Sequence, residues 1–313
     1  HIDIQEHQQS LGGAKTHDIM NHPVIFKRLM EEYLLECALA YERFNPQSLD
    51  EEFGVEYIEE DSNYYKLLVR VNKKNDRTIV SFRGTDNLSN LEADLNSKTF
   101  DTTKLSSIFD GIPDEKDLFV HRGFALSVKS VYDNLVNILD GRENIEYTGH
   151  SYGSIVCIFA YVYFIKTGNR PKHIYTFGSP RMISNNPNYP ISNINREIDI
   201  VRIFNHNDGI SFLPTRESEV AGASATGTVL GGLGFALGSS INKNVGMMLG
   251  AGAGALGASI GRQAGNFIHI GTGVLLYDIK GAKVRGEYSL HDSHQEGYLP
   301  NDRSFIVIPK GID

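Results

Sequence analysis

Residues 149–153 read Gly-His-Ser-Tyr-Gly and could carry out covalent catalysis. They fit the pattern G-x-S-x-G, in which two glycines let the chain turn so sharply that the serine hydroxyl projects from the edge of a sheet. A serine held in this way can attack a carbonyl carbon and form an acyl-enzyme. The pattern also occurs at residues 257–261 (GASIG), so the motif alone does not select the nucleophile.

The sequence around each of the two serines separates them. Ser151 follows the β-forming run 145–148 (IEYT) and precedes the apolar helical run 155–160 (IVCIFA), which gives the strand, turn and helix that the motif needs. Ser259 instead lies within a repeat of glycine and alanine and follows no predicted strand. We therefore predict that Ser151 is the nucleophile.

An acid and a base must accompany a serine nucleophile, and with this motif they follow it in the order acid, then histidine. Asp208 leaves the predicted strand 200–204 at its carboxyl end, where open α/β sheets keep their sites. Asp278 is the remaining candidate for the acid. The residue types and their order thus predict a Ser-His-Asp triad with Asp208 as its acid.

Three later histidines are candidates for the base. His291 and His294 lie in a late loop, as the triad requires. His269 precedes the predicted strand 273–278 and should lie at the opposite end of the sheet if that strand is parallel. Position alone does not separate His291 from His294.

Acyl transfer also needs hydrogen-bond donors for the oxyanion, and one is the backbone amide after the nucleophile, here Tyr152. The second usually comes from a loop that follows an earlier strand. Residues 83–85 (RGT) form such a loop after the predicted strand 78–82, and Thr85 offers both an amide and a hydroxyl. The alternative interpretation is purely structural, with residues 83–85 forming only a tight turn.

The elements that must position these residues alternate between strands and helices. Helical spacing and the sequence Asn21-His22-Pro23 predict an N-terminal amphipathic helix. Further helices are predicted at 124–139 and 154–165, and this alternation favours an α/β fold with a largely parallel sheet covered on both faces. The length fits one main domain at 1–313. Strands are predicted at 55–58, 67–71, 78–82, 145–148, 173–177, 200–204, 273–278 and 304–308.

A glycine-rich apolar insertion at 218–268 breaks this pattern. Thirteen glycines fall between Gly222 and Gly265, many of them four residues apart. Small residues at this interval let two helices approach closely, so we expect a helical hairpin that turns at Lys243. The hairpin either packs on its own domain as a lid or contacts a membrane.

The same insertion contains a possible dinucleotide-binding motif. Residues 252–257 fit G-x-G-x-x-G, but the residues before them make a poor strand for dinucleotide binding.

Composition and charge exclude some functions. The net charge of −8 gives no electrostatic reason to bind nucleic acid, so we expect no such partner.

The two cysteines do not indicate a disulfide or a metal site. Cys37 and Cys157 lie in apolar helical stretches and are expected to be inert core residues. No metal or organic cofactor is required by the predicted chemistry. The chain opens on His1 without a basic and then apolar leader, so its compartment is not read from this end.

The chain resembles the class 3 lipases, the fungal-type lipase family of the α/β-hydrolases. The resemblance implies an α/β-hydrolase fold, an acyl-lipid substrate, contact with a membrane or lipid interface, and no cofactor. It is compatible with secretion or membrane association. The matching stretches, in family order, are 79–95 (IVSFRGTDNLSNLEADL), 120–124 (VHRGF), 147–154 (YTGHSYGS), 175–181 (YTFGSPR) and 201–214 (VRIFNHNDGISFLP).

Residue by residue, the resemblance implies Ser151 as the nucleophile, Asp208 as the acid, and Thr85 with Tyr152 as the oxyanion hole. It favours His294 as the base, with His291 as the alternative. Residues 86–94 align with the family's short helical lid.

Departures from the family accompany the match. The residue after the serine is tyrosine where the family usually has leucine. The insertion at 218–268 is absent from the small fungal enzymes, although membrane-bound diacylglycerol lipases are similar in carrying an insert there.

The predicted function is thus a serine carboxylic-ester hydrolase acting on acyl lipids, of the lipase or phospholipase type. The alternative is a membrane-inserting, toxin-like protein in which the glycine-rich hairpin is the active element. A dinucleotide-binding oxidoreductase is the remote third hypothesis.

Overall fold

A computed structural model gives the fold of the chain. It describes residues 20–42, 49–50, 54–61, 66–74, 76–84, 102–184, 191–205, 208, 211, 267–278 and 303–308. The helices are α1 (Pro23–Glu42), α2 (Arg122–Leu139), α3 (Val156–Thr167) and α4 (Ile191–Glu197). The strands are β1 (Leu49–Asp50), β2 (Val55–Asp61), β3 (Lys66–Lys74), β4 (Arg77–Phe82), β5 (Thr102–Lys104), β6 (Phe119–His121), β7 (Asn144–His150), β8 (His173–Phe177), β9 (Ile183–Ser184), β10 (Ile200–Asn205), β11 (Phe267–Ile268), β12 (Thr272–Asp278) and β13 (Arg303–Ile308).

The main sheet is mixed, with a parallel centre. Over the described residues its strand order is β1-β2-β3-β4-β7-β8-β10-β12-β13. Strands β4, β7, β8, β10 and β12 run parallel to one another, whereas β1 to β3 and the last strand, β13, are antiparallel additions. The eight predicted strands and the largely parallel sheet are confirmed.

Successive residues of the central strands pack on opposite faces of the sheet. On β4, Ile79 packs in the cluster with α1, while Val80 packs in the cluster with α2 and α3. On β8, Tyr175 likewise packs in the cluster with α1, while Ile174 packs in the cluster with α2 and α3. Since side chains alternate along a strand, a sheet with helices on both faces reads as a continuous apolar run. This is why the central strands were visible in the sequence.

Both cysteines lie in these two clusters, Cys37 on α1 and Cys157 on α3, and both are free thiols. Burial raises the pKa of each thiol to about 12, which keeps the thiols neutral and unreactive at ordinary pH. The prediction of inert core cysteines is confirmed.

Helix α1 is fixed to the sheet by buried ionic contacts. Arg77 of β4 donates through Nε to Glu146 of β7 at 2.7 Å and through Nη1 to Glu32 of α1 at 2.8 Å. Further along the helix, Glu36 accepts hydrogen bonds from Arg70 and Asn72 of β3. Removing one partner of such a buried pair leaves an uncompensated charge, so the contacts define the position of α1 closely.

A second sheet was not predicted from the sequence. It contains β11-β9-β6-β5 among the described residues, and its strands are only two or three residues long. Such strands are too short to give a periodic pattern. Of the predicted insertion at 218–268, only residues 267–268 are described, and they form β11. None of the helices in the described ranges is long and apolar enough to cross a membrane.

Candidate active site

Ser151 lies at a sharp bend between β7 and α3. It directly follows His150, the last residue of β7, and it opens a 3-10 turn over Ser151–Ile155 that leads into α3. Its φ is 57°, and no other non-glycine residue in the described ranges has a positive φ. A left-handed conformation costs a side-chain-bearing residue about 1–2 kcal/mol, so surrounding contacts must hold the bend.

The two glycines of the motif leave room for this bend. A Cβ at Gly149 would overlap the carbonyl of Gly153 and lie 2.8 Å from the amide nitrogen of Ser154. A Cβ at Gly153 would overlap the carbonyl of Phe82, the last residue of β4, and lie 2.8 Å from the carbonyl carbon of Arg83. The bend is therefore packed directly against the backbone that leaves β4.

Replacing Gly153 by alanine is expected to destabilise the fold by about 3 kcal/mol, because β4 must move away from the bend. Urea unfolding measures this change. Gly168→Ala is the matched control, since its φ is 71° and nothing lies within 4 Å of a Cβ there, and it should cost only about 1 kcal/mol. Equal losses from the two substitutions would contradict the steric explanation.

The Ser151 hydroxyl is buried and has no hydrogen-bond partner among the described residues. Its side chain is fully buried, and Oγ makes no hydrogen bond within the part of the chain that the structure describes. The backbone of the same residue is held, since the Ser154 hydroxyl donates to the Ser151 carbonyl at 2.5 Å. An unpaired buried hydroxyl costs about 1–3 kcal/mol. Unpaired burial and backbone strain at one residue are typical of a functional site.

Asp208 lies beyond the carboxyl end of β10, at the edge of the sheet that also carries Ser151. Its amide donates to the carbonyl of Asn205, the last residue of β10, at 3.0 Å. Its side chain is fully buried, and Oδ2 accepts a hydrogen bond from the Ser211 hydroxyl at 3.2 Å. Only β8 separates β7 from β10, so the two strand axes are roughly 10 Å apart.

His269 lies just before the start of β12, as expected, but its ring reaches the segment that follows Asp208. Strand β12 is parallel to β10, as the expectation assumed, yet Nε2 of His269 lies 2.5 Å from the carbonyl oxygen of Ser211. His269 is therefore linked through Ser211 to the Asp208 segment instead of lying remote from it. The reason is β11, which precedes His269 and belongs to the unpredicted second sheet.

Thr85, His291 and His294 lie outside the described residues. Their described neighbours lie at the same edge of the sheet. Gly84, just before Thr85, packs so closely on the bend that a Cβ there would lie 2.6 Å from the carbonyl oxygen of His150. Asp278, which ends β12, pairs with Arg303, which begins β13, so the segment carrying both histidines leaves and re-enters the sheet at this edge.

Tyr152 packs into the core beside the bend. Its side chain is 1% exposed, and its ring centroid lies 5.3 Å from that of Phe124 on α2. The side chain is thereby fixed between the bend and α2. The role of the Tyr152 amide as an oxyanion donor stays a prediction.

Comparisons with known proteins agree with this geometry. The sequence model of the family "Lipase (class 3)" matches residues 79–218, which include β4, the bend at Ser151 and Asp208. A triacylglycerol lipase from Penicillium expansum has a similar structure, with a TM-score of 0.51 and 12% identity, over 79% of this chain and 77% of that chain. The LIP2 lipase of Yarrowia lipolytica is 19% identical over 61% of this chain and 75% of its own, with a TM-score of 0.49. No curated protein sequence matches the chain significantly.

The fold is that of an α/β-hydrolase, with a sharp bend at Ser151 at the carboxyl edge of its parallel strands. Residues 79–218 match the model of the class 3 lipases, a family of this superfamily. This match supports a carboxylic-ester hydrolase of the lipase class.

Proposed function

We propose that this hydrolase cleaves acyl lipids through a triad of Ser151, His294 and Asp208. The amides of Thr85 and Tyr152 form the oxyanion hole, and His291 is the alternative base. Substrates are lipids with an ester-linked acyl chain, either acylglycerols or phospholipids. The proposal for the substrate follows from the match of residues 79–218 to the class 3 lipase model, and the proposal for the residues follows from the resemblance of their sequence motifs to that family.

The reaction proceeds in two halves. Ser151 Oγ attacks the ester carbonyl while its proton passes to His294, and the two amides stabilise the negative oxygen that forms. The tetrahedral intermediate expels the alcohol, which takes the proton from His294. Water then attacks the acyl-enzyme, gives a proton to His294 and releases the fatty acid, and the proton returns to Ser151. Asp208 holds the His294 tautomer and stabilises the imidazolium.

The single observation that supports this proposal most is the state of Ser151. Its backbone is strained, its hydroxyl is buried without a described partner, and it begins the turn into a buried apolar helix. A structural serine has no reason to combine backbone strain with a buried hydroxyl that no described residue satisfies, because both cost stability. The position of the Asp208 carboxylate, two strands away at the same edge, supports its proposed role of orienting a base between the two.

We also propose that the chain forms a single domain over 1–313, with the insertion at 218–268 acting in access to lipid as a lid or a membrane-contacting hairpin. Its position between the acid and the base supports this role, since a segment there connects directly to both halves of the site.

A lipid panel tests the substrate class. Purified protein is incubated with mono-, di- and triacylglycerols and with phosphatidylcholine vesicles, and released fatty acids are measured by mass spectrometry. We expect release from at least one of these lipids and none from a Ser151→Ala blank. Hydrolysis of a soluble ester without release from any lipid would contradict the lipid assignment.

The same vesicles, loaded with a fluorescent dye, test the toxin-like alternative. Leakage that persists with Ser151→Ala protein would assign membrane disruption to the hairpin and not to hydrolysis. Under the proposed function, intact vesicles are expected with that variant.

A further inference from the structure

The end of helix α1 reaches the residue that precedes the nucleophile. The hydroxyl of Tyr41, in the last turn of α1, lies 3.0 Å from Nδ1 of His150, which is a hydrogen-bond distance. The two ring centroids are 5.9 Å apart, and His150 is only 6% exposed. A contact between residues 109 positions apart in the chain thus joins the N-terminal helix to the bend at Ser151.

The Tyr41 hydroxyl also packs against the loop that leaves β4. A Cβ at Gly84 would overlap Tyr41 Oη and lie 3.0 Å from Cζ of that ring. The guanidinium of Arg83 lies 5.7 Å from the ring centroid, within the range of a cation–π contact. Tyr41 therefore touches the loop on one side and the bend on the other.

Each of these contacts falls one residue before a group of the proposed site. Gly84 precedes Thr85, the proposed oxyanion donor, and His150 precedes Ser151. The distance between the donor and the nucleophile depends on how the two backbone segments are held together. An error of 1 Å in such a distance can cost about 100-fold in rate.

We propose that Tyr41 is a positioning residue for the oxyanion hole. Its hydrogen bond to His150 and its contact with Gly84 hold the loop after β4 against the nucleophile bend. This inference rests on the proposed function, because it assumes that Thr85 donates to the oxyanion. Helix α1 is itself anchored to β3 and β4 by ionic contacts, so it provides a rigid support for Tyr41.

The ring of Tyr41 and its hydroxyl have separable roles. The ring fills space beside Gly84 and Arg83, whereas the hydroxyl alone reaches His150. Tyr41→Phe keeps the ring and removes the hydrogen bond, so it tests positioning without leaving a cavity. A residue that only fastens α1 to the sheet would affect stability and leave the turnover of folded protein unchanged.

Steady-state kinetics of the full-length Tyr41→Phe variant on a soluble p-nitrophenyl ester test the proposal. We expect kcat to fall about tenfold, with KM changed less than about twofold, because the oxyanion forms only in the transition state. Urea unfolding should show at most a small fall in the midpoint, because one hydrogen bond is lost while the ring keeps its contacts. Tyr147→Phe is the matched control, since it removes a buried hydroxyl from β7 that has no hydrogen-bond partner among the described residues, and its kcat should equal that of the wild type.

Inhibition by a boronic acid separates a failure of this inference from a failure of the proposed function. A boronic acid forms a tetrahedral adduct with a serine nucleophile and so imitates the intermediate in the oxyanion hole. We expect its inhibition constant to rise about tenfold in Tyr41→Phe, in parallel with the loss of kcat. Equal inhibition of both proteins would overturn the role of Tyr41, and no inhibition of the wild type would overturn the proposed nucleophile.

Discussion

Replacing Ser151 by alanine is expected to lower kcat/KM for a p-nitrophenyl ester by about 10⁴-fold or more, since it removes the proposed nucleophile itself. The same substitution should leave the protein folded, because it keeps the backbone of the bend and removes a single oxygen atom. Activity should therefore be lost while the fold is retained. Steady-state kinetics and urea unfolding measure the two effects on the same preparation.

Ser154→Ala is the matched control for this experiment. Ser154 is also fully buried, but its hydroxyl donates to the Ser151 carbonyl at 2.5 Å. Its loss should lower the free energy of unfolding by about 1 kcal/mol and leave activity within roughly tenfold of the wild type. Undiminished turnover by Ser151→Ala, or an equal loss in both variants, would reject Ser151 as the nucleophile.

The central sheet and the bend were predictable because their signals are local. Strands such as β4 and β10 are buried at every residue, since helices cover both faces of the sheet, and β-branched and aromatic residues predominate in them. The glycines at 149 and 153 were recognisable from the motif alone. Their packing against each other and against Phe82 explains why the motif requires them.

The contacts that surround the site were not predictable, because they join distant parts of the chain. No periodic pattern indicates that Tyr41 meets His150 or that His269 meets the Ser211 carbonyl. The His269 contact depends on β11, whose two residues carry no recognisable strand signal. Ser211 was not selected from the sequence, and its hydrogen bond to the Asp208 carboxylate is seen only in the structure.

Replacement of the histidine that acts as the base is the second change expected to lower kcat strongly. His294→Ala is expected to lower kcat for the same ester by about 10⁴-fold, because Ser151 then has no group to accept its proton. His291→Ala should change kcat less than about threefold. Both histidines belong to the segment between Asp278 and Arg303, whose paired ends lie at the edge of the sheet that carries Ser151 and Asp208. Chain connectivity thus allows either residue, and kinetics must choose.

A double variant tests whether His294 and Ser151 act together, because the losses of activity from the two substitutions should then not be additive. Catalytic groups that act as one unit lose little more when a second member is removed. The double variant Ser151→Ala/His294→Ala should therefore be no slower than Ser151→Ala alone, whereas independent groups would multiply their losses. A 10⁴-fold loss from His291→Ala with normal turnover by His294→Ala would transfer the role of base to His291. Normal turnover in both single variants would exclude the proposed triad, because neither candidate histidine would then act as the base for Ser151.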